Sequence, residues 1–365
     1  MTLQLGLVGL PNVGKSTLFN ALTQAGAAVA NYPFTTIEPN IGVVPVPDAR
    51  LDALAALIQP DKVVPATLRV VDIAGLVRGA SQGEGLGNEF LSHIRAVDAI
   101  AMVVRCFVDE QVPHVTAALH PVDDMETVDL ELMLSDLQIL DRHLERLQSR
   151  AKANPREFAE ELALVERVMA GLRQGMPLRR QGLTAEDQYL LREVALLTNK
   201  PLLYVANVAE DALPGGGPLA EAVRARAEEE GAEVITLCAQ TEAEIADWPP
   251  EEARGYLAAL GLEEPGLYRF VRAGYRLLDY VSFFTVTGGK EVRAWTLHRG
   301  KTAWDAAGEV HTDLQRGFIR AEVIGWEALV AAGSFARARD TGRLTVEGRD
   351  YVVRDGDVLH IRFAV

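Results

Sequence analysis

The stretch "GLPNVGKST", Gly9 to Thr17, follows the apolar run "LQLGLV" and opens the helically spaced "KSTLFNALTQA". It fits G-x-x-x-x-G-K-[ST] through Gly9, Gly14, Lys15 and Ser16. A strand, a glycine loop and a helix in immediate succession form the opening unit of a mostly parallel α/β sheet, which leaves few alternatives for the fold. The glycines let backbone N–H groups curl around phosphates, and the helix start adds the positive end of its dipole. Lys15 is placed for the β and γ phosphates and the Ser16 hydroxyl for Mg2+.

A second element, "VVDIAG", puts Asp72 at a strand end with Gly75 three residues on. The carboxylate is suited to hold Mg2+ through water, and the Gly75 N–H to sense a γ-phosphate. Between these elements, "NYPFTTIEPN" has neither helical nor strand periodicity and offers Thr35 and Thr36. Thr36 is the choice to complete the Mg2+ shell. Leu76 follows Gly75, where Ras-like enzymes carry a glutamine, and leucine cannot orient a water. Hydrolysis is then either very slow or served by another group.

Further apolar runs, "IGVVPV", "TLRVVDIAG", "AIAMVVRCF", "KPLLYVAN" and "EVITLCA", are mostly separated by helical or polar stretches. That is the pattern of a sheet covered on both faces. Between Phe107 and Lys200 lie about 90 residues, too many for an ordinary crossover. Leu130, Leu134, Leu137, Leu140, Leu144 and Leu147 recur there at three and four, and "KANPRE" breaks the run. Two long antiparallel helices, an inserted arm, are predicted. The last segment holds short strands with one helix-like stretch, "TAWDAAGEVHTDL", the pattern of a small α+β roll. The division expected is 1–125 with 197–278 for the nucleotide domain, 126–196 for the arm and 279–365 for the C-terminal domain.

Composition narrows the function. The chain has 365 residues, 48% hydrophobic and 24% charged, and its apolar runs are interrupted by charge well short of a membrane span. The beginning, "MTLQLGLVGL", shows no basic region or cleavage site, and Cys106 and Cys238 stand far apart. A cytoplasmic protein without a disulfide is expected. The net charge of −15 argues against indiscriminate polyanion binding, yet residues 142–180 carry nine Lys/Arg against five Glu, about +4. A solvated helix face and a polyanion-contacting arm both account for that run.

The loop after the strand "LLYVAN" chooses the base. Asn-Lys-x-Asp, which reads guanine, is replaced by Asn207, Val208, Ala209 and Glu210. The missing Asp would accept two hydrogen bonds, together about 3 to 6 kcal/mol. Glu210 is one methylene longer and cannot form the same fork from the same backbone position without moving the base or itself, so GTP is disfavoured.

"GLPNVGKSTLFNAL", "DIAGLVRGASQGEGLGNEFL", "NVAED", "EEPGL", "KEVRAWT", "HTDLQRGFIRAEVI" and "EGRDY" together resemble the Obg-related YchF-type ATPases over nearly the whole chain. The resemblance implies a Ras-like P-loop domain, an inserted α-helical coiled-coil arm and a C-terminal TGS domain of β-grasp fold. It implies ATP preferred over GTP, Mg2+ dependence, and hydrolysis stimulated on the ribosome or its large subunit, with rRNA and tRNA contacts compatible. Nucleotide contacts carry over to Asn12, Val13, Gly14, Lys15, Ser16, Thr17 and Val208, and Mg2+ ligands to Ser16 and Thr36. Asn207 brackets a purine, and Cys238 and Ala239 lie beside the base. Asn12 resembles the asparagine that holds K+ in potassium-activated relatives, and His114 a histidine that replaces the missing glutamine. A lone histidine beside proline is more often structural, and that reading stands beside the catalytic one. Two rival functions stay open: a ribosome- or RNA-binding module gated by nucleotide with incidental hydrolysis, and a conventional GTPase.

Overall fold

A computed structural model of the chain describes residues 3–29, 40–73, 75, 86–109, 112 and 119–364, the side chains of 25–29 and 86–89 excepted. The chain begins β1 (Gln4–Val8), α1 (Lys15–Val29), β2 (Ile41–Pro45), α2 (Ala49–Ile58), β3 (Lys62–Val64) and β4 (Thr67–Asp72). It continues α3 (Leu86–Ala96), β5 (Ala99–Cys106), α4 (Pro121–Ala151), α5 (Ala159–Arg173), α6 (Ala185–Leu191), β6 (Leu202–Val208) and α7 (Gly217–Glu230). Then come β7 (Glu233–Leu237), α8 (Ala239–Ile245), α9 (Pro250–Ala259) and α10 (Gly266–Leu277). The remainder runs β8 (Tyr280–Thr287), β9 (Glu291–His298), α11 (Ala303–Val310), α12 (Thr312–Arg316), β10 (Phe318–Gly325), α13 (Trp326–Ala332), α14 (Phe335–Asp340), β11 (Thr345–Glu347) and β12 (Asp357–Phe363).

The first sheet has the order β2-β4-β1-β5-β6-β7, with β4, β1, β5, β6 and β7 paired in parallel. Every residue of β5 and β6 is buried, as expected of central strands covered on both faces. Parallel pairing aligns Leu7 with Asp72 and Asn207 with both Arg105 and Leu237. The carboxyl ends of four strands therefore deliver the chemistry-bearing residues to one edge of the sheet.

The arm is α4 and α5. The 31-residue α4 is about 46 Å long at 1.5 Å per residue. Pro121 and the acidic Asp123 and Asp124 suit its first turn. Its core joins Met133, Leu140, Leu147 and Ala151 to Leu164, Val165, Val168 and Leu172 of α5. Leu130, expected on that stripe, is 51% exposed. The apolar stripe starts instead at Met133, because the turn around Leu130 also carries the buried acids Asp129 and Glu131.

Buried charge holds the arm's base. Asp129 pairs with Arg179, whose Nε donates to Glu230 at 3.0 Å, and Tyr204 donates to the same Glu230 oxygen at 2.9 Å. Asp136, 0% exposed, accepts from the backbone N–H groups of Leu197 (2.7 Å) and Thr198 (2.8 Å) and from the Thr198 hydroxyl (2.7 Å). Burial pushes its carboxyl up to about 6, against the pull of those three donors. α4 is thus tied directly to the turn that launches β6.

Residues 43–68 and 271–365 form a second compact unit, distinct from 1–42 with 69–270. Its sheet runs β11-β10-β12-β8-β9-β3, with the β8–β9 hairpin antiparallel and β12 parallel to β8, a β-grasp arrangement. The segment 43–68, counted with the nucleotide domain on sequence grounds, belongs to this unit by packing. β3 adds in parallel to β9, and Arg50 forks onto Asp48 and bridges to Asp355 at 2.9 Å. Four short helices stand where one was expected. "TAWDAAGEVHTDL" breaks at His311, whose extended backbone caps α12, while α13 and α14 fall below the length that periodicity reveals.

Candidate nucleotide site

The loop between β1 and α1 turns through positive φ at Asn12 (64°) and Gly14 (88°). Gly14 is required twice over: a Cβ there would also lie 2.2 Å from the Asn207 amide nitrogen. At Gly9 a Cβ would meet the Val103 carbonyl oxygen at 2.6 Å, so this glycine lets the loop lie against β5. Lys15, 7% exposed, pairs with the Asp72 carboxylate, and the Ser16 hydroxyl lies 3.3 Å from the other Asp72 oxygen. The Asp72 N–H is itself fixed by the Asn40 carbonyl at 2.8 Å. Gly75 lies beside Pro11, and Thr17 follows Ser16 in the first turn of α1.

Asn207, 4% exposed, joins the loop after β1 to the start of α8. Its Nδ2 donates to the Val13 carbonyl and its Oδ1 accepts from the Ala239 N–H, both at 2.9 Å. That bond engages the Ala239 N–H within the protein; Cys238 precedes it as the N-cap of α8. Val208 is almost wholly buried. Glu210 opens a 3-10 turn, Glu210–Ala212, and its Oε2 accepts from Thr241 Oγ1 (2.7 Å) and from the Tyr256 hydroxyl (2.8 Å). Holding that bond raises the Tyr256 phenol above its usual range, because phenolate would face a carboxylate. Phosphate loop, Asn207, Val208, Glu210, Cys238 and Ala239 line one cleft of about 800 Å³.

Three residues in this cleft's frame carry no motif. Arg105, 2% exposed, is the one charge in the buried strand β5, and that anomaly is its signal. Its guanidinium donates to the carbonyls of Asn12 (3.2 Å), Phe107 (3.1 Å) and Val112 (2.9 Å), so it pins the phosphate loop to the segment leaving β5. Thr241 and Tyr256 reach Glu210 from α8 and α9 and have no signature in the sequence. Thr36, His114 and Leu76 lie outside the described residues.

Lys15 supplies a cation, and Ser16 with Asp72 supplies hard oxygen donors. This set fits Mg2+, which is commonly bound by one or two protein oxygens together with substrate phosphates. Among the described residues no cluster of three His, Cys, Asp or Glu side chains could hold a cation unaided.

A family model described as "50S ribosome-binding GTPase" matches residues 4–135, and YchF-GTPase_C, described as "Protein of unknown function (DUF933)", matches residues 280–364. The chain is 50% identical over 365 residues to the "Ribosome-binding ATPase YchF" of Haemophilus ducreyi, covering 100% of both chains. The identity to the protein of the same name from Bacillus subtilis is 48% over 367 residues, again covering 100% of both. The chain belongs to the YchF family. The solved YchF GTPase of Schizosaccharomyces pombe superposes with a TM-score of 0.90 at 35% identity, covering 99% of this chain and 98% of that one. The names given to YchF relatives thus divide over the base, "ATPase" for some and "GTPase" for another. In this YchF chain the loop after β6 carries Glu210, held by the hydroxyls of Thr241 and Tyr256. No helix among the described residues is long and apolar enough to cross a membrane.

Proposed function

We propose that this chain is a ribosome-binding ATPase that hydrolyses ATP in preference to GTP and acts as a nucleotide switch on the translation machinery of the cytoplasm. The observation that carries it is the convergence of Lys15, Ser16 and Asp72 beside a positive-φ phosphate loop, in a cleft whose base end holds Glu210 in place of a guanine-reading aspartate. In this reading Lys15 neutralises the β and γ phosphates, with loop N–H groups from Asn12 to Thr17 around them. Ser16 and Thr36 hold Mg2+, with Asp72 acting through water and Gly75 facing the γ-phosphate. Bound Mg2+ supplies Lewis-acid neutralisation of the phosphate charge. The arm 126–196 and the TGS domain 279–365 contact the ribosome.

Turnover of ATP and of GTP, each with and without ribosomes, tests this directly. Faster ATP hydrolysis on ribosomes is expected, with that stimulation lost when residues 128–195 are replaced by a short linker. Indifference to ribosomes would favour a nucleotide-gated binding module, the alternative that Leu76 suggests; faster turnover of GTP would make the chain a GTPase.

Asn12 as a K+ ligand and His114 as the residue that orients the attacking water complete the reading. Replacing K+ by Na+ is expected to slow hydrolysis, and His114→Ala to lower turnover without weakening ATP binding. Equal rates in the two salts, or an unaffected His114→Ala variant, would remove the respective role.

A further inference from the structure

We propose that Thr241 and Tyr256 are specificity-determining residues: they hold the Glu210 carboxylate so that it cannot turn to the donor edge of guanine. The inference rests on the reading of this cleft as the nucleotide site. Exchanging aspartate for glutamate is by itself an insecure barrier to guanine. The extra methylene displaces the carboxylate but also gives it reach and one more rotatable bond, so an unheld Glu210 could swing into a fork.

The structure removes that freedom. Glu210 Oε2 accepts from Thr241 Oγ1 at 2.7 Å and from Tyr256 OH at 2.8 Å, and these two donors fill the two lone-pair positions of one oxygen. Only Oε1 remains, whereas guanine presents two parallel N–H donors that ask for both carboxylate oxygens. Adenine has a ring acceptor where guanine has its ring N–H, and so asks for no such fork. The holders are stiff. Thr241 is β-branched and 1% exposed on α8, and Tyr256 on α9 packs against Trp248 with ring centroids 5.3 Å apart. Base selection is thereby written outside the loop that carries Glu210, on two helices that begin 29 and 40 residues beyond it (Ala239 and Pro250 against Glu210).

The test uses the full chain with Mg2+ and measures equilibrium binding of ATP and GTP to the wild type, Tyr256→Phe, Thr241→Val and the double variant. Each substitution removes a hydroxyl and keeps the shape. GTP affinity is expected to rise about tenfold relative to ATP in the double variant, the worth of one regained hydrogen bond, and by less in Tyr256→Phe. Adding Glu210→Ala to the double variant should abolish the gain, which ties it to this carboxylate. Should the buried Thr241→Val fail to fold, half-exposed Tyr256→Phe still decides. An unchanged ATP-to-GTP ratio in folded Tyr256→Phe, with the wild type preferring ATP, overturns the inference and leaves the proposed function standing. A wild type that binds neither nucleotide, or shows no preference, overturns both.

Discussion

Lys15→Ala is expected to lower ATP turnover by about a thousandfold, the scale of losing a single preorganised charge at a reacting phosphate. The lysine Nζ and the Asp72 carboxylate share a site in which their side chains are 8% and 15% exposed. A charge so enclosed is poorly screened by water and acts strongly on a developing negative charge. The substitution also strands Asp72, at a cost of about 1 to 3 kcal/mol for a poorly solvated group left without its partner. The sheet itself should survive, since β1, β4 and β5 are held by backbone pairing and apolar packing in which Lys15 has no part. Turnover, circular dichroism and Tm measured together separate the two effects. A folded Lys15→Ala variant that still hydrolyses ATP at the parent rate would exclude this loop as the active site.

Asn207→Ala is expected to do more to stability and less to chemistry. It leaves the Val13 carbonyl and the Ala239 N–H without their side-chain partner in a buried setting, each worth about 1 to 3 kcal/mol. A fall in Tm of several degrees and a loss of nucleotide affinity of about tenfold or more should appear together, because one amide joins the phosphate loop to the base loop. Retained affinity with a lowered Tm would show that the two loops keep their places without that link. Asn207→Asp is the sharper companion: it keeps the acceptor facing Ala239 and sets a carboxylate oxygen against the Val13 carbonyl.

The convergence of the loop after β1 on Asp72 was legible because its parts are local: Gly9, Gly14, Lys15 and Ser16 fall within eight residues, and Asp72 closes a strand that periodicity already marks. The central strands were legible for a related reason, since full burial of β5 and β6 demands unbroken apolar runs. Contacts made only by the folded chain were not. The Thr241 and Tyr256 hydroxyls meet Glu210 across 31 and 46 residues, and nothing in "AQTEAEI" or "PEEARGYLAA" distinguishes them from surface polar residues. Arg105 lay between these cases. A lone guanidinium in an all-buried strand must find donors' partners, but the sequence does not say that they are the carbonyls of Asn12, Phe107 and Val112. Leu130 misled for a simpler reason: spacing marks a helix face, and only packing decides where along the helix that face is covered.

The β-grasp unit has a consequence for any attempt to excise it. Because it is assembled from two stretches, 43–68 and 271–365, no single cut separates it from the rest of the chain. A chain ended before Val271 would retain α2, whose Leu51 and Leu54 are buried, and would leave β3 as an orphaned edge without β9. Exposed apolar surface beside an unpaired strand invites aggregation. Loss of ribosome binding after such a truncation would therefore report a sticky remnant as readily as a missing contact. Removing 271–365 together with 46–66, with Pro45 rejoined to Thr67 through a short linker so that β2 and β4 stay in the first sheet, is the cleaner surgery.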